Sequence, residues 1–170
     1  MKKTIILIAL LLSIVLTVFF LSKTNREHDE QKANYTTIPA FCLPDINNDT
    51  ITEQALQKDI STLFLFFEPG CGACDTTMTE INLVKNDFST FQLVFFTPHT
   101  PETISIYLKE TGFSVGENMI FLSDQNFDLS NAMEVKASPS AFIYNSEGVL
   151  IKQFSGIVKI ETLLKYLSKK

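Results

Sequence analysis

Apolar residues run through this chain in short blocks separated by polar turns, and the spacing within each block sorts it into strand or helix. Leu63-Phe64-Leu65-Phe66-Phe67 is unbroken and too short for a helix, so it predicts a buried strand. Phe91 to Phe96 predicts a second, Met119 to Leu122 a third, and Ala141 to Tyr144 and Val149 to Phe154 an antiparallel pair around the turn Asn145-Ser146-Glu147-Gly148. Phe41 to Ile46 alternates loosely and is broken by Pro44, as an edge strand is. Asn47-Asn48-Asp49 then turns the chain into a short return strand, Thr50-Ile51-Thr52.

Helical spacing appears elsewhere. Met78, Ile81, Val84 and Phe88 give one apolar face to a helix over Cys71 to Phe88. Pro101 and Glu102 open a helix that Gly112 ends. Phe127, Leu129 and Met133 suggest a short helix, and Ile157, Ile160, Leu163, Leu164 and Leu167 a last one closed by Lys169-Lys170. Strands alternating with helices, then a hairpin and a final helix, predict an α/β fold with a central mixed sheet flanked by helices. The first strand-helix-strand unit is expected to be parallel and right-handed.

The first segment differs from the rest. Thr4 to Leu21 carries no charge over eighteen residues, roughly 27 Å as a helix and near the thickness of a bilayer core. No small-x-small cleavage pattern ends the run, which predicts an uncleaved signal anchor over residues 1–21, with a cleaved secretion signal as the competing reading. Ser22 to Asn34 is polar and mixed in charge and reads as a tether, leaving residues 35–170 for one domain with a proper core. The short N-terminal tail favours a cytoplasmic N-terminus, a single pass and a domain outside the cytoplasmic membrane. A net charge of −5 over 170 residues, with no basic cluster, argues against a nucleic-acid partner.

The chemistry concentrates in Glu68-Pro69-Gly70-Cys71-Gly72-Ala73-Cys74, between a strand and a helix. Two cysteines at this spacing can close into a disulfide and reopen. Free N–H groups and partial positive charge at the helix start favour a thiolate at Cys71. A permanent structural bridge is the alternative, but so short a loop gains little entropy from closure. Zinc would need four ligands, and beyond the pair only Cys42, His28 and His99 remain, none at ligand spacing.

The chain resembles the thioredoxin superfamily, and more narrowly the membrane-anchored thiol-disulfide oxidoreductases of the TlpA/ResA type. Beyond the anchor and the cysteine motif, the resemblance rests on Phe41-Cys42-Leu43-Pro44-Asp45, on Met119 to Asp124, on Val135 to Ile143 and on the hairpin Tyr144 to Leu150. It implies a thioredoxin-like fold preceded by one transmembrane helix. It implies Cys71 as nucleophile, Cys74 as resolving cysteine, and no cofactor besides a redox-active Cys71–Cys74 disulfide. Pro139 would be a cis-proline facing that disulfide, with Ser138 offering backbone groups to an extended substrate segment. Partners would be cysteine-containing exported proteins and a membrane protein that donates or accepts electrons.

Some positions depart from the family. Leu65 stands where minimal thioredoxins carry a buried aspartate, and Thr77 where ResA-type proteins carry a glutamate. The usual proton acceptor for the buried thiol is therefore missing. Asp75 and Glu80 read as solvated surface charges. Glu68 is the carboxylate to test, since like-charge repulsion from it would raise the Cys71 pKa. Phe67 occupies the region where a tryptophan is usual, and Cys42 reads as a small buried hydrophobe rather than a third redox thiol. His28 falls in the tether and His99 in a solvated loop; together they make no acid-base constellation.

These readings converge on an extracytoplasmic enzyme that reduces or exchanges disulfides of exported proteins. A disulfide-forming oxidase would use the same residues. A thioredoxin-fold adaptor or chaperone with an inert disulfide is the non-enzymatic alternative. A peroxiredoxin-type peroxidase ranks low, because Glu68 occupies the place of its peroxide-binding threonine.

Overall fold

The structure is a computed structural model that describes residues 36–169. The anchor, the tether and His28 lie outside the described residues. Among the described residues no helix is long and apolar enough to cross a membrane.

Among the described residues, seven strands divide between two sheets. The strands β1 (Cys42–Pro44) and β2 (Thr50–Thr52) form an antiparallel hairpin of their own. Its turn is built by Asp45, whose carboxylate accepts hydrogen bonds from the N–H groups of Asn47 and Asp49 at 2.8 and 2.9 Å. The other five are β3 (Thr62–Phe66), β4 (Gln92–Thr97), β5 (Met119–Ser123), β6 (Ser140–Tyr144) and β7 (Leu150–Ser155), and they form one mixed sheet ordered β5-β4-β3-β6-β7. The central strand β3 pairs parallel with β4 and antiparallel with β6.

Both faces of this sheet are covered, which is why its strands read as unbroken apolar runs. Leu63, Leu65 and Phe95 pack on one face with Met78 and Ile81 of α1 (Gly72–Leu83), Ile104 and Leu108 of α2 (Pro101–Glu110), and Leu163 and Leu167 of α4 (Ile160–Leu167). Phe64, Phe66, Val94 and Phe96 pack on the other with Phe41, Leu43 and two residues at α3 (Asp128–Ala132), Leu129 and Met133. Burial of each such side chain is worth roughly 1.5–3 kcal/mol against leaving it in water. Asp124 anchors α3 from a fully buried position: its carboxylate accepts from the N–H groups of Leu129 and Ser130 and from the Ser130 hydroxyl at 2.6 to 3.1 Å.

Three local expectations give way. The helix after Cys71 ends at Leu83, and a tighter 3-10 turn over Lys85–Phe88 carries Phe88 into the core. Asn86 and Asp87 are weak helix formers there. The Asn118 amide donates to the carbonyls of Phe88 and Phe91 at 2.9 and 2.8 Å. Ile157 is 58% exposed and precedes α4, because the chain turns at Gly156 with φ +87° and the helix starts only at Ile160. Cys42 is exposed: Phe41 and Leu43 point inward, so the period of two along the strand sends Cys42 out.

Candidate active site

Strand β3 delivers the chain to the site from the centre of the sheet. Its continuation, Phe67, is fully buried; the N–H donates to the Phe96 carbonyl, and the ring packs against Tyr107 and edge-on to Phe121. The chain then turns through Glu68-Pro69-Gly70, with Gly70 at φ +82°, a conformation that glycine adopts without steric cost. The Cys71 N–H donates back to the Glu68 carbonyl at 3.1 Å, which closes the turn.

Cys71 is the N-cap of α1. Its backbone is extended, its carbonyl accepts from the Asp75 N–H at 2.9 Å, and its side chain does not cap the helix. The sulfur lies over the first turn and is partly exposed. Its pKa is lowered, first by the hydrogen bond from the Cys74 thiol, then by the N–H groups of Cys74 and Ala73. Partial burial and the negative charge of Glu68 oppose that shift without reversing it.

Cys74 lies one turn further on and is fully buried. Burial pushes its thiol up to about 11, although the Ser138 hydroxyl and the Glu68 N–H pull the other way. The Glu68 N–H donates to Cys74 Sγ at 3.4 Å, and Ser138 Oγ lies 3.0 Å from the same sulfur. Both cysteines are free thiols in this structure. Environment therefore divides them into an outer sulfur that favours the thiolate and an inner one that keeps its proton, linked by a hydrogen bond.

The second wall comes from the start of β6. Phe66 at the end of β3 pairs with Ser140, so the residues just before Ser140 face the dithiol turn. The Ser138–Pro139 peptide is cis. The Ser138 carbonyl lies 3.9 Å from Cys71 Sγ, which places one residue against both sulfurs, through its carbonyl on Cys71 and its hydroxyl on Cys74. Beside this loop a groove of about 240 Å³ is lined by Glu68, Ser138, Val135 and Phe127. Phe127 is 46% exposed and sits at φ +60°.

The positions where the family places acids hold other side chains. Leu65 is buried in the core, and Thr77 is buried with its hydroxyl donating to the Ala73 carbonyl at 3.0 Å. Asp75 is not a simple solvated charge, because Tyr107 of α2 donates its phenol to Asp75 Oδ1 at 2.8 Å. Tyr107 is nearly buried, and burial first, then Asp75, raises its pKa well above the ordinary tyrosine value. The helical spacing of Ile104, Tyr107 and Leu108 marks the buried face of α2, but nothing in that spacing pairs it with Asp75. The Ser138 hydroxyl is likewise a contact that the sequence left unspecified. His99 follows β4 at the same end of the sheet, and its carbonyl accepts from the Ser123 hydroxyl at 2.7 Å.

Comparison with known proteins gives one family and one shared fold. A family model described as a thioredoxin-like domain matches residues 48–170. No curated protein matches the sequence. Among solved structures, a Neisseria meningitidis protein assigned as a thioredoxin is 24% identical, with a TM-score of 0.64 over 77% of this chain and 86% of its own. StoA from Bacillus subtilis is 15% identical, with a TM-score of 0.61 over 77% and 98%. A secreted disulfide oxidoreductase of Mycobacterium tuberculosis is 12% identical, with a TM-score of 0.64 over 75% and 94%. At these identities the likeness is one of fold.

Proposed function

The chain belongs to the thioredoxin-like family, with a fold of the TlpA/ResA kind, and from that premise we propose that it is a thiol-disulfide oxidoreductase working outside the cytoplasmic membrane on exported proteins. The observation that carries this reading is the division of the two thiols. The outer sulfur has a lowered pKa and partial exposure, and the inner one is held as a thiol within hydrogen-bond reach. A permanent structural bridge would need no such asymmetry.

The chemistry follows from the arrangement. The Cys71 thiolate attacks one sulfur of a substrate disulfide, forms a mixed disulfide and expels the other substrate sulfur as a thiolate. Cys74, once deprotonated, attacks Cys71 Sγ. A Cys71–Cys74 disulfide forms, the bond to the substrate breaks, and the second substrate sulfur leaves with the electron pair. Two electrons have then passed to the substrate, and a membrane electron donor would restore the dithiol. The same steps reversed would oxidise a dithiol substrate. The export assignment is supported by the uncharged stretch Thr4 to Leu21 and the polar segment after it.

Insulin reduction with a dithiol donor tests the activity, and equilibration with glutathione tests the direction. The reading expects turnover that is lost in Cys71→Ser, and a potential below that of glutathione. Absence of turnover from folded protein with a free Cys71 thiol would favour an adaptor, and a potential far above glutathione would favour an oxidase.

A further inference from the structure

The resolving step leaves a proton unaccounted for. Cys74 is fully buried and begins as a thiol pushed up to about 11, so solvent bases do not reach it and it does not ionise unaided at neutral pH. In the resting dithiol the Cys74 thiol donates a hydrogen bond to Cys71 Sγ, which can take its proton. In the mixed disulfide that acceptor is gone, because Cys71 Sγ is bonded to the substrate and uncharged. The Glu68 N–H on the same sulfur is a donor and takes no proton. The positions where family members carry an acid hold Leu65 and Thr77. Of the groups bonded to Cys74 Sγ among the described residues, Ser138 Oγ, at 3.0 Å, is the acceptor that remains.

We propose that the Ser138 hydroxyl is a catalytic group of the resolving step, accepting the Cys74 proton while passing its own through the adjoining groove to the Glu68 carboxylate. A hydroxyl accepts and donates at once, so Ser138 ends the step with the same proton count as it began. Ser138 and Glu68 line one groove of about 240 Å³, room for several bridging waters, and the proposed route runs through it. The Cys74 thiol becomes a thiolate and attacks Cys71 Sγ, while the Glu68 carboxylate becomes a carboxylic acid and returns its proton to solvent. Two further pairs of ionisable groups in the surroundings are already engaged. The Tyr107 hydroxyl donates a hydrogen bond to Asp75, and Lys136, on the groove, is 77% exposed and 3.9 Å from Glu134. This assignment rests on the oxidoreductase reading.

The two roles of Glu68 carry opposite signs, which makes the test sharp. Its charge raises the Cys71 pKa, so Glu68→Gln enriches the attacking thiolate. As a proton acceptor it serves Cys74, so the same replacement slows resolution. Stopped-flow single turnovers with a disulfide-bonded model peptide separate the steps, with attack read in proteins that also carry Cys74→Ala and resolution as release of the second peptide thiol. Ser138→Ala is expected to slow resolution at neutral pH by roughly tenfold to a hundredfold and to make it climb with pH. Ser138→Thr, which keeps the hydroxyl, restores the rate and keeps the test open if the alanine variant is unfolded by circular dichroism. Glu68→Gln is expected to speed attack and slow resolution. Wild-type resolution and pH profile in Ser138→Ala, a Ser138→Thr protein that folds and attacks yet stays slow, or resolution unaffected by Glu68→Gln would overturn the proposal. Failure of the Cys74→Ala protein to form any mixed disulfide would instead overturn the oxidoreductase reading.

Discussion

Tyr107 donates its phenolic hydrogen to Asp75 across 2.8 Å and so ties helix α2 to the first turn of α1, one residue beyond Cys74. The ring is held from behind by Phe67, with centroids 5.6 Å apart. The helix that carries both cysteines is therefore fastened to its neighbour by a polar contact next to the reacting sulfurs.

Removal of the phenolic hydroxyl in Tyr107→Phe is expected to cost about 1.5–3 kcal/mol, the usual worth of a hydrogen bond to a charged partner. The cost has a pH signature. The folded-state pKa of Tyr107 lies above its unfolded value, so the contribution is fully present below about pH 10 and is lost as pH rises beyond it. Urea unfolding of both proteins across the alkaline range checks this. The gap is expected to narrow with rising pH, and equal stability at neutral pH would contradict the account.

The Cys71 thiolate owes most to the hydrogen bond from Cys74. Cys74→Ala is therefore expected to raise the Cys71 pKa, measured by thiolate absorbance or by the pH dependence of alkylation. A value unchanged by the replacement would shift the credit to the helix N-terminus.

Glu68 acts in the opposite direction and more weakly, as the smallest of the influences on Cys71. Glu68→Gln is expected to lower the Cys71 pKa in the same titration. The direction is what matters, and an upward shift would contradict like-charge repulsion as the cause.

Cys42 sits on the outer side of its strand. A maleimide is expected to label it rapidly in the native protein, and Cys42→Ser to leave insulin reduction intact and change stability by no more than about 0.5 kcal/mol. Slow labelling, or loss of turnover, would contradict an exposed thiol outside the redox couple.

Much of this arrangement was readable from residue order. The run Leu63 to Phe67 announced a central strand because a strand covered on both faces has no polar position to show, and all five residues of β3 are buried. The cysteine spacing brings the two sulfurs within reach of one another, because three positions along a helix make nearly one turn, and the place of Cys71 at the helix start makes it the outer one. Cys42 reads as buried from its apolar surroundings, yet its neighbours hold the answer: Phe41 and Leu43 face inward, and alternation alone sends the residue between them outward. Ile157 shares the helical spacing of its successors, but Gly156 breaks the backbone before that spacing can act. The Tyr107–Asp75 and Ser138–Cys74 contacts join residues 32 and 64 positions apart. Such pairings depend on how α2 and the start of β6 dock against α1, and no local pattern encodes the docking.

Reversible oxidation of the Cys71–Cys74 couple tests the central claim most directly. Purified protein is to be equilibrated in dithiol-disulfide buffers of graded potential, quenched in acid, and its mass measured before and after thiol alkylation. The account expects the loss of two hydrogens and of two alkylatable thiols, mapped to Cys71 and Cys74, following a single two-electron curve and restored by dithiol. A pair that stays reduced across the range, or a bridge that the dithiol cannot reopen in the folded protein, would contradict it.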